Sequence, residues 1–128
     1  MSGRSAYPRL DAPDYQVQGK SATSYEYNVA KALETVDLPY MFQYQLFGGR
    51  ARRGGIVLDF LVFTRPLSTP VFVNGGYWHS GQKRSEDELE QNLVFYYAKG
   101  EFQKPVIFWD EDCKTEEAAL NAVRRELL

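Results

Sequence analysis

Histidine and cysteine are almost missing from this sequence: each occurs once, as His79 and Cys113. A single thiol rules out an internal disulfide, and one thiol with one imidazole falls short of the four ligands of a Cys/His zinc site. A reducing compartment fits such a chain. Positive charge is not in excess either, since 15 basic residues face 17 acidic ones for a formal net charge of -2. That balance excludes the overall positive field of a general nucleic-acid coat, so any contact with DNA has to come from a local patch. No apolar run approaches the roughly 20 residues that span a bilayer. The opening stretch, MSGRSAYPRLDAPDYQ, lacks the hydrophobic segment of a signal peptide. The expectation is a soluble, cytoplasmic protein with no membrane partner. There is no internal repeat and no low-complexity tract.

What is abundant is apolar and aromatic material, 44% and 15% of 128 residues, enough for the core of one domain. Residues 1–20 carry Pro8, Pro13 and no sustained period, which predicts a flexible arm, and residues 21–128 then form the single domain. From about 23 to 36 the pattern is helical, with Tyr25, Val29, Ala32 and Val36 close to one stripe and Thr23 and Glu26 at capping-box spacing. Leu38 and Pro39 end it. YMFQYQLF at 40–47 and GIVLDFLVF at 55–63 read as strands, and GGRARRGG between them as a basic hairpin loop from Gly48 to Gly55. A strand follows in PVFVNG from Pro70. A second helix starts with the Ser85 and Glu88 capping box, has Leu89 and Leu93 on its apolar face, and stops at Gly100. PVIFWDED from Pro105 is the last strand, and the amphipathic stretch from about Thr115 to Leu128 the last helix. This order predicts an α/β domain with a central mixed sheet flanked by helices.

Asp59 is the most informative single residue. In GIVLDFLVF one face carries Ile56, Leu58, Phe60 and Val62 and the other Val57, Asp59, Leu61 and Phe63, so both are apolar except at Asp59. Burying an unpaired carboxylate costs roughly several kcal/mol, so a metal ion, an arginine or an opening to water has to accompany it. In VFVNGGYWHS, residues 71–80, a strand runs out into Tyr77, Trp78 and His79, at the kind of sheet edge where sites form; core rings and a surface histidine are the plainer alternative. Glu26 shares a helix side with Ala30 and Leu33 and so turns toward apolar neighbours, yet the cap explains it equally well. Arg50, Arg52 and Arg53 form a short basic cluster suited to phosphates or simply to a solvated turn.

Together these pieces resemble the very-short-patch repair endonucleases of the PD-(D/E)XK superfamily. Their signature strand likewise runs into a glycine, an aromatic pair and a histidine, after an aspartate on the preceding long strand and before a late strand similar to VIFWDEDC. The resemblance implies a restriction-endonuclease-like, three-layer domain that hydrolyses DNA phosphodiesters with magnesium, manganese being a possible substitute. It makes Asp59 the principal metal ligand, with the backbone carbonyl of Val73 as another, and His79 the general base or orienter of the attacking water. Glu26 then acts from behind these. Tyr77 and Trp78 match rings that wedge into the DNA stack, and DNA contacts are also expected at Arg50, Arg52, Arg53, Asn74, Lys83 and Arg84.

The chain departs from the family at several positions. Asn74 stands where repair members carry a second histidine, and Gly76 replaces a cysteine of their zinc site, so no zinc is expected. In the wider pattern the second acid and the lysine fall at Phe72 and Asn74. The expectation is an endonuclease that nicks mismatched, branched or unpaired DNA, as a monomer or homodimer. The alternative is a catalytically degenerate nuclease-fold module that binds DNA or a protein partner.

Overall fold

The computed structural model describes residues 15–46, 56–75, 88–89, 91–93 and 100–128. In chain order these form β1 (Gln16–Val17), β2 (Lys20–Ser21), α1 (Ser24–Thr35), β3 (Tyr40–Leu46), β4 (Ile56–Val62) and β5 (Thr69–Asn74). There follow α2, helical at 88, 89 and 91–93, then β6 (Val106–Trp109), α3 (Asp110–Cys113) and α4 (Glu116–Leu127). β3 to β6 make one mixed sheet in the order β3-β4-β5-β6, antiparallel at the first two joints and parallel between β5 and β6. The predicted α/β class with a central mixed sheet is what forms. Among the described residues no helix is long and apolar enough to cross a membrane.

Helix α1 forms where its cap predicts. Thr23 Oγ1 accepts from the Glu26 N–H at 3.1 Å, and Glu26 Oε1 accepts from the Thr23 N–H at 2.8 Å, satisfying two donors that the first turn leaves open. Val29, Ala30, Ala32 and Leu33 of α1 join Ala119, Ala122 and Val123 of α4, Phe42, Phe60, Val62 and Val71 of the sheet, and Phe108 in the main core. Each large apolar side chain fully buried there contributes about 1.5–3 kcal/mol. Asn28, also buried, donates to the Cys113 carbonyl at 2.9 Å and so ties α1 to the end of α3. A smaller cluster of Leu46, Leu58, Leu61 and Phe72, with Tyr44, Phe102 and Ile107 against it, forms separately.

Those two clusters divide β4 in a way that strict alternation does not predict. Phe60 and Val62 belong to the main core, but Leu58, expected on their face, packs with Leu61 in the smaller cluster. The partner strand does the same, with Phe42 in the main core and Leu46 in the smaller one. Between the divided parts the register passes from Phe42↔Phe60 to Tyr44↔Leu58 without a bridge at Gln43 and Asp59. Gln43 holds a φ of 57°, a left-handed conformation that costs an ordinary residue about 1–2 kcal/mol and rotates the strand past it. The kink therefore reverses the alternation of both strands at the level of Asp59.

Three other expectations change. Residues 15–20, expected within the flexible arm of 1–20, include a hairpin whose two-residue turn has positive φ at Gln18 and Gly19. Val17 is buried in the main core, and the Gln18 side chain pairs with the edge of β3 by donating to the Tyr40 carbonyl and accepting from the Phe42 N–H, both at 2.9 Å. The last strand stops at Trp109 rather than running through PVIFWDED: Asp112 Oδ2 accepts from the Trp109 N–H at 2.9 Å and starts the short helix α3. On α2, Leu89 is 70% exposed while Gln91 turns to the sheet, because the buried amide of Asn74 requires a polar partner.

Candidate functional site

The parallel strands β5 and β6 end together, at Asn74 and Trp109. Strand β4 starts at this end, and its pairing with β5 runs from Val62↔Thr69 only as far as Phe60↔Val71. Beyond that point the Asp59 side chain takes over from the backbone: its Oδ2 accepts from the Val73 N–H at 2.7 Å. Where two strands part in this way, an acceptor on a side chain satisfies a main-chain donor that the ladder no longer reaches.

The first turn of α1 supplies the other carboxyl group. Glu26 shares a side-chain hydrogen bond with Asp59. The cap reading of Glu26 is what forms, and the same side chain also meets Asp59. Burial pushes the Asp59 carboxyl up to about 7, the Val73 N–H pulls it back down, and the adjacent Glu26 raises it further by charge and hydrogen bond. Among the described residues, the groups that act on it include no cation.

Around this pair the next residues of β5 are held closely. Asn74 is buried, and its amide makes a reciprocal pair with Gln91, Nδ2 to Oε1 at 2.7 Å and Nε2 to Oδ1 at 2.8 Å. Gly75 lies against the Tyr25 ring so tightly that a Cβ there would stand 2.6 Å from Tyr25 Cδ1. Only glycine fits. Tyr25 in turn hydrogen-bonds Asp110, which raises its phenol above the ordinary range, with burial adding to the effect. Cys113, the single thiol, is buried beneath and bonded to the Trp109 carbonyl at 3.3 Å. Burial, then Asp112, Asp110, Glu111 and Glu26, hold it protonated, pushed up to about 12.

Comparisons with protein-family models, with curated proteins and with solved structures found no match. What the site can do is therefore judged from its own side chains. Of the expected residues, Asp59, Glu26 and Val73 are brought together, and Asn74 lies next to them with its amide engaged by Gln91. Arg50, Arg52, Arg53, Tyr77, Trp78, His79, Lys83 and Arg84 lie outside the described residues. Among the described residues no group of three or more histidine, cysteine, aspartate or glutamate side chains could hold a metal ion. Magnesium does not need one: it takes one or two carboxylates and keeps several waters. Two carboxyl groups in contact, one of them half-buried, form a donor set of hard oxygens whose mutual repulsion a divalent ion would relieve. Asp59 and the Val73 carbonyl are the groups that would hold it, with Glu26 beside them.

Sequence reasoning missed Tyr25, Gln91 and Asp110 as neighbours of the site. Gln91 left a faint signal, a polar residue between Leu89 and Leu93. Tyr25 fell on the apolar stripe, and Asp110 inside a predicted strand, so neither pointed to this end of the sheet.

Proposed function

We propose that the chain is a magnesium-dependent endodeoxyribonuclease with a restriction-endonuclease-like, three-layer fold, similar to the very-short-patch repair endonucleases. The observation that carries this reading is the contact of the half-buried Asp59 with Glu26, at the end of a mixed sheet where β5 runs out into GYWHS. A strongly perturbed carboxyl group paired with a second acid, with no basic neighbour among the described residues that act on it, fits a site that takes up a cation. Magnesium, or manganese in its place, would lower the cost of negative charge on the attacked phosphate and the leaving oxygen. Zinc has no place in this scheme.

In this reading Asp59 and the Val73 carbonyl bind the ion, and Glu26 adds negative charge from the first turn of α1 while keeping its cap. His79, shortly after Gly75 in the chain, accepts the proton of the attacking water or orients it. Arg50, Arg52, Arg53, Lys83 and Arg84 hold phosphates, and Tyr77 and Trp78 stack on bases at mismatched, branched or unpaired places. Asn74, already paired with Gln91, shapes the site rather than reading DNA. The enzyme would act in the cytoplasm, as a monomer or homodimer.

A second reading has one observation in its favour. Phe72 is buried in the smaller cluster and Asn74 is tied to Gln91, so the two positions that carry an acid and a lysine in the wider PD-(D/E)XK pattern do structural work here. That is how a module would look that had lost catalysis and kept binding to DNA or a protein. Labelled single-stranded, duplex, mismatched and branched DNA, incubated with magnesium, manganese or EDTA, decides between the two. Metal-dependent products that disappear in Asp59→Ala and His79→Ala are expected. Binding without cleavage by the wild type selects the second reading.

A further inference from the structure

Val73, Asn74 and Gly75 are consecutive, and each is gripped by a different element. Asp59 of β4 takes the Val73 N–H, Gln91 of α2 takes the Asn74 amide, and Tyr25 of α1 lies on Gly75. Beyond Phe60↔Val71 no backbone bridge joins this end of β5 to β4, while β6 holds its other edge at Val73↔Phe108 and Asn74↔Trp109. On the side open toward β4, the Val73 peptide, whose N–H meets Asp59 and whose carbonyl is the second expected ligand, is steadied by Asp59 and by the residues that follow it. Asn74 is the first of these. Its amide is 6% exposed and makes both hydrogen bonds of the reciprocal pair at short distance, which leaves the side chain a single orientation.

We infer that Gln91 is a positioning residue for the metal site: the Asn74–Gln91 amide pair fixes the exit of β5 and, through it, the Val73 peptide against the Asp59 carboxyl. The inference rests on the metal-dependent reading proposed above and extends it to a residue that touches neither metal nor DNA. Groups behind the ligands commonly change metal affinity by about 10–100-fold when removed. The amide pair does this work because it is reciprocal. Each side chain both donates and accepts, so neither can rotate without losing two bonds, and the Asn74 end of the pair is buried.

The test is manganese binding to the full chain, followed without DNA by the electron paramagnetic resonance of free Mn²⁺, with thermal melting in EDTA run alongside. Gln91→Met is expected to weaken Mn²⁺ by about 10–100-fold. The exchange Asn74→Gln with Gln91→Asn keeps a donor and an acceptor on each side, and is expected to restore affinity to within about threefold of wild type, the scatter usual for such pairs. A purely structural role would lower the melting temperature of Gln91→Met and leave its Mn²⁺ affinity unchanged, which overturns the inference. So does an exchange variant that folds but binds as weakly as Gln91→Met. If Gln91→Met does not fold, Asn74→Leu with Gln91→Met, which strands no amide, takes its place and is read in the same way. A wild type that binds no Mn²⁺ overturns the metal-dependent reading itself, whereas wild-type binding lost in Asp59→Asn but kept in Gln91→Met overturns only the role of Gln91.

Discussion

Glu26 and Asp112 perform the same local task in two parts of the molecule. Each sits three residues past the N-cap of its helix, and each accepts from that cap's backbone N–H, Thr23 for Glu26 at 2.8 Å and Trp109 for Asp112 at 2.9 Å. Their second neighbours are opposite in sign. Asp112 Oδ1 meets Arg125 at 3.2 Å, whereas Glu26 meets the carboxyl group of Asp59. An acid with only a structural role is free to acquire a cation, as Asp112 has done. Two acids left in contact raise the cost of the folded state, and in the reading proposed above that repulsion serves metal binding.

The strongest way to break this contrast is Asp59→Asn. The amide still accepts the Val73 N–H, so the fold persists while one ligand charge is lost. Metal-dependent DNA cleavage is expected to fall by about a thousandfold or more, the scale on which metal ligands count; cleavage within tenfold of wild type would remove Asp59 from the site.

The same substitution has an opposite effect on stability without metal. Asp59 is raised from 3.8 to about 7 in the folded protein, so the folded state holds a proton that the unfolded chain releases. Its contribution is therefore most favourable below about pH 4 and is lost as pH rises from there through 7, by up to about 4 kcal/mol. Urea titrations in EDTA at pH 4 and pH 8 are expected to show Asp59→Asn gaining on the wild type at the higher pH. Magnesium should return part of that loss to the wild type alone.

Glu26→Gln sharpens the comparison further, because glutamine keeps the acceptor for the Thr23 N–H and drops the charge. Half-saturating magnesium for cleavage is expected to rise about 10–100-fold with little change in melting temperature. A large fall in melting temperature at unchanged magnesium dependence would make Glu26 a cap and nothing more.

The smallest effects belong to the other acid. Asp112→Ala loses a helix-start acceptor, worth about 1 kcal/mol, and leaves cleavage unchanged. Arg125→Ala, at an exposed position, should shift neither the melting curve nor the magnesium dependence.

Local chemistry wrote several of these features into the sequence. Thr23 and Glu26 announced the first turn of α1, the alternating and aromatic runs announced β3 to β6, and Asp59 stood out as a carboxylate among apolar residues on both faces of its strand. The hairpin at 16–21 was less visible because the run between Val17 and Ser21 is polar, and its docking depends on the Gln18 amide finding the edge of β3, far along the chain. The strand reading through Asp110 failed because Asp112 reaches back to the Trp109 N–H, a bond between neighbours that competes with extension.

The sequence by itself determined the long helices, the sheet strands and their order, and the one acid that had to be explained, since spacing and side-chain type act within a few residues. Only the tertiary structure decided what stands beside that acid. The kink at Gln43, the parting of β4 from β5 and the arrival of the first turn of α1 together bring Glu26 to Asp59, while Gln91 and Tyr25 close on the residues after Val73. These contacts join residues distant in the chain, and their energy depends on burial and relative placement, which no local pattern encodes.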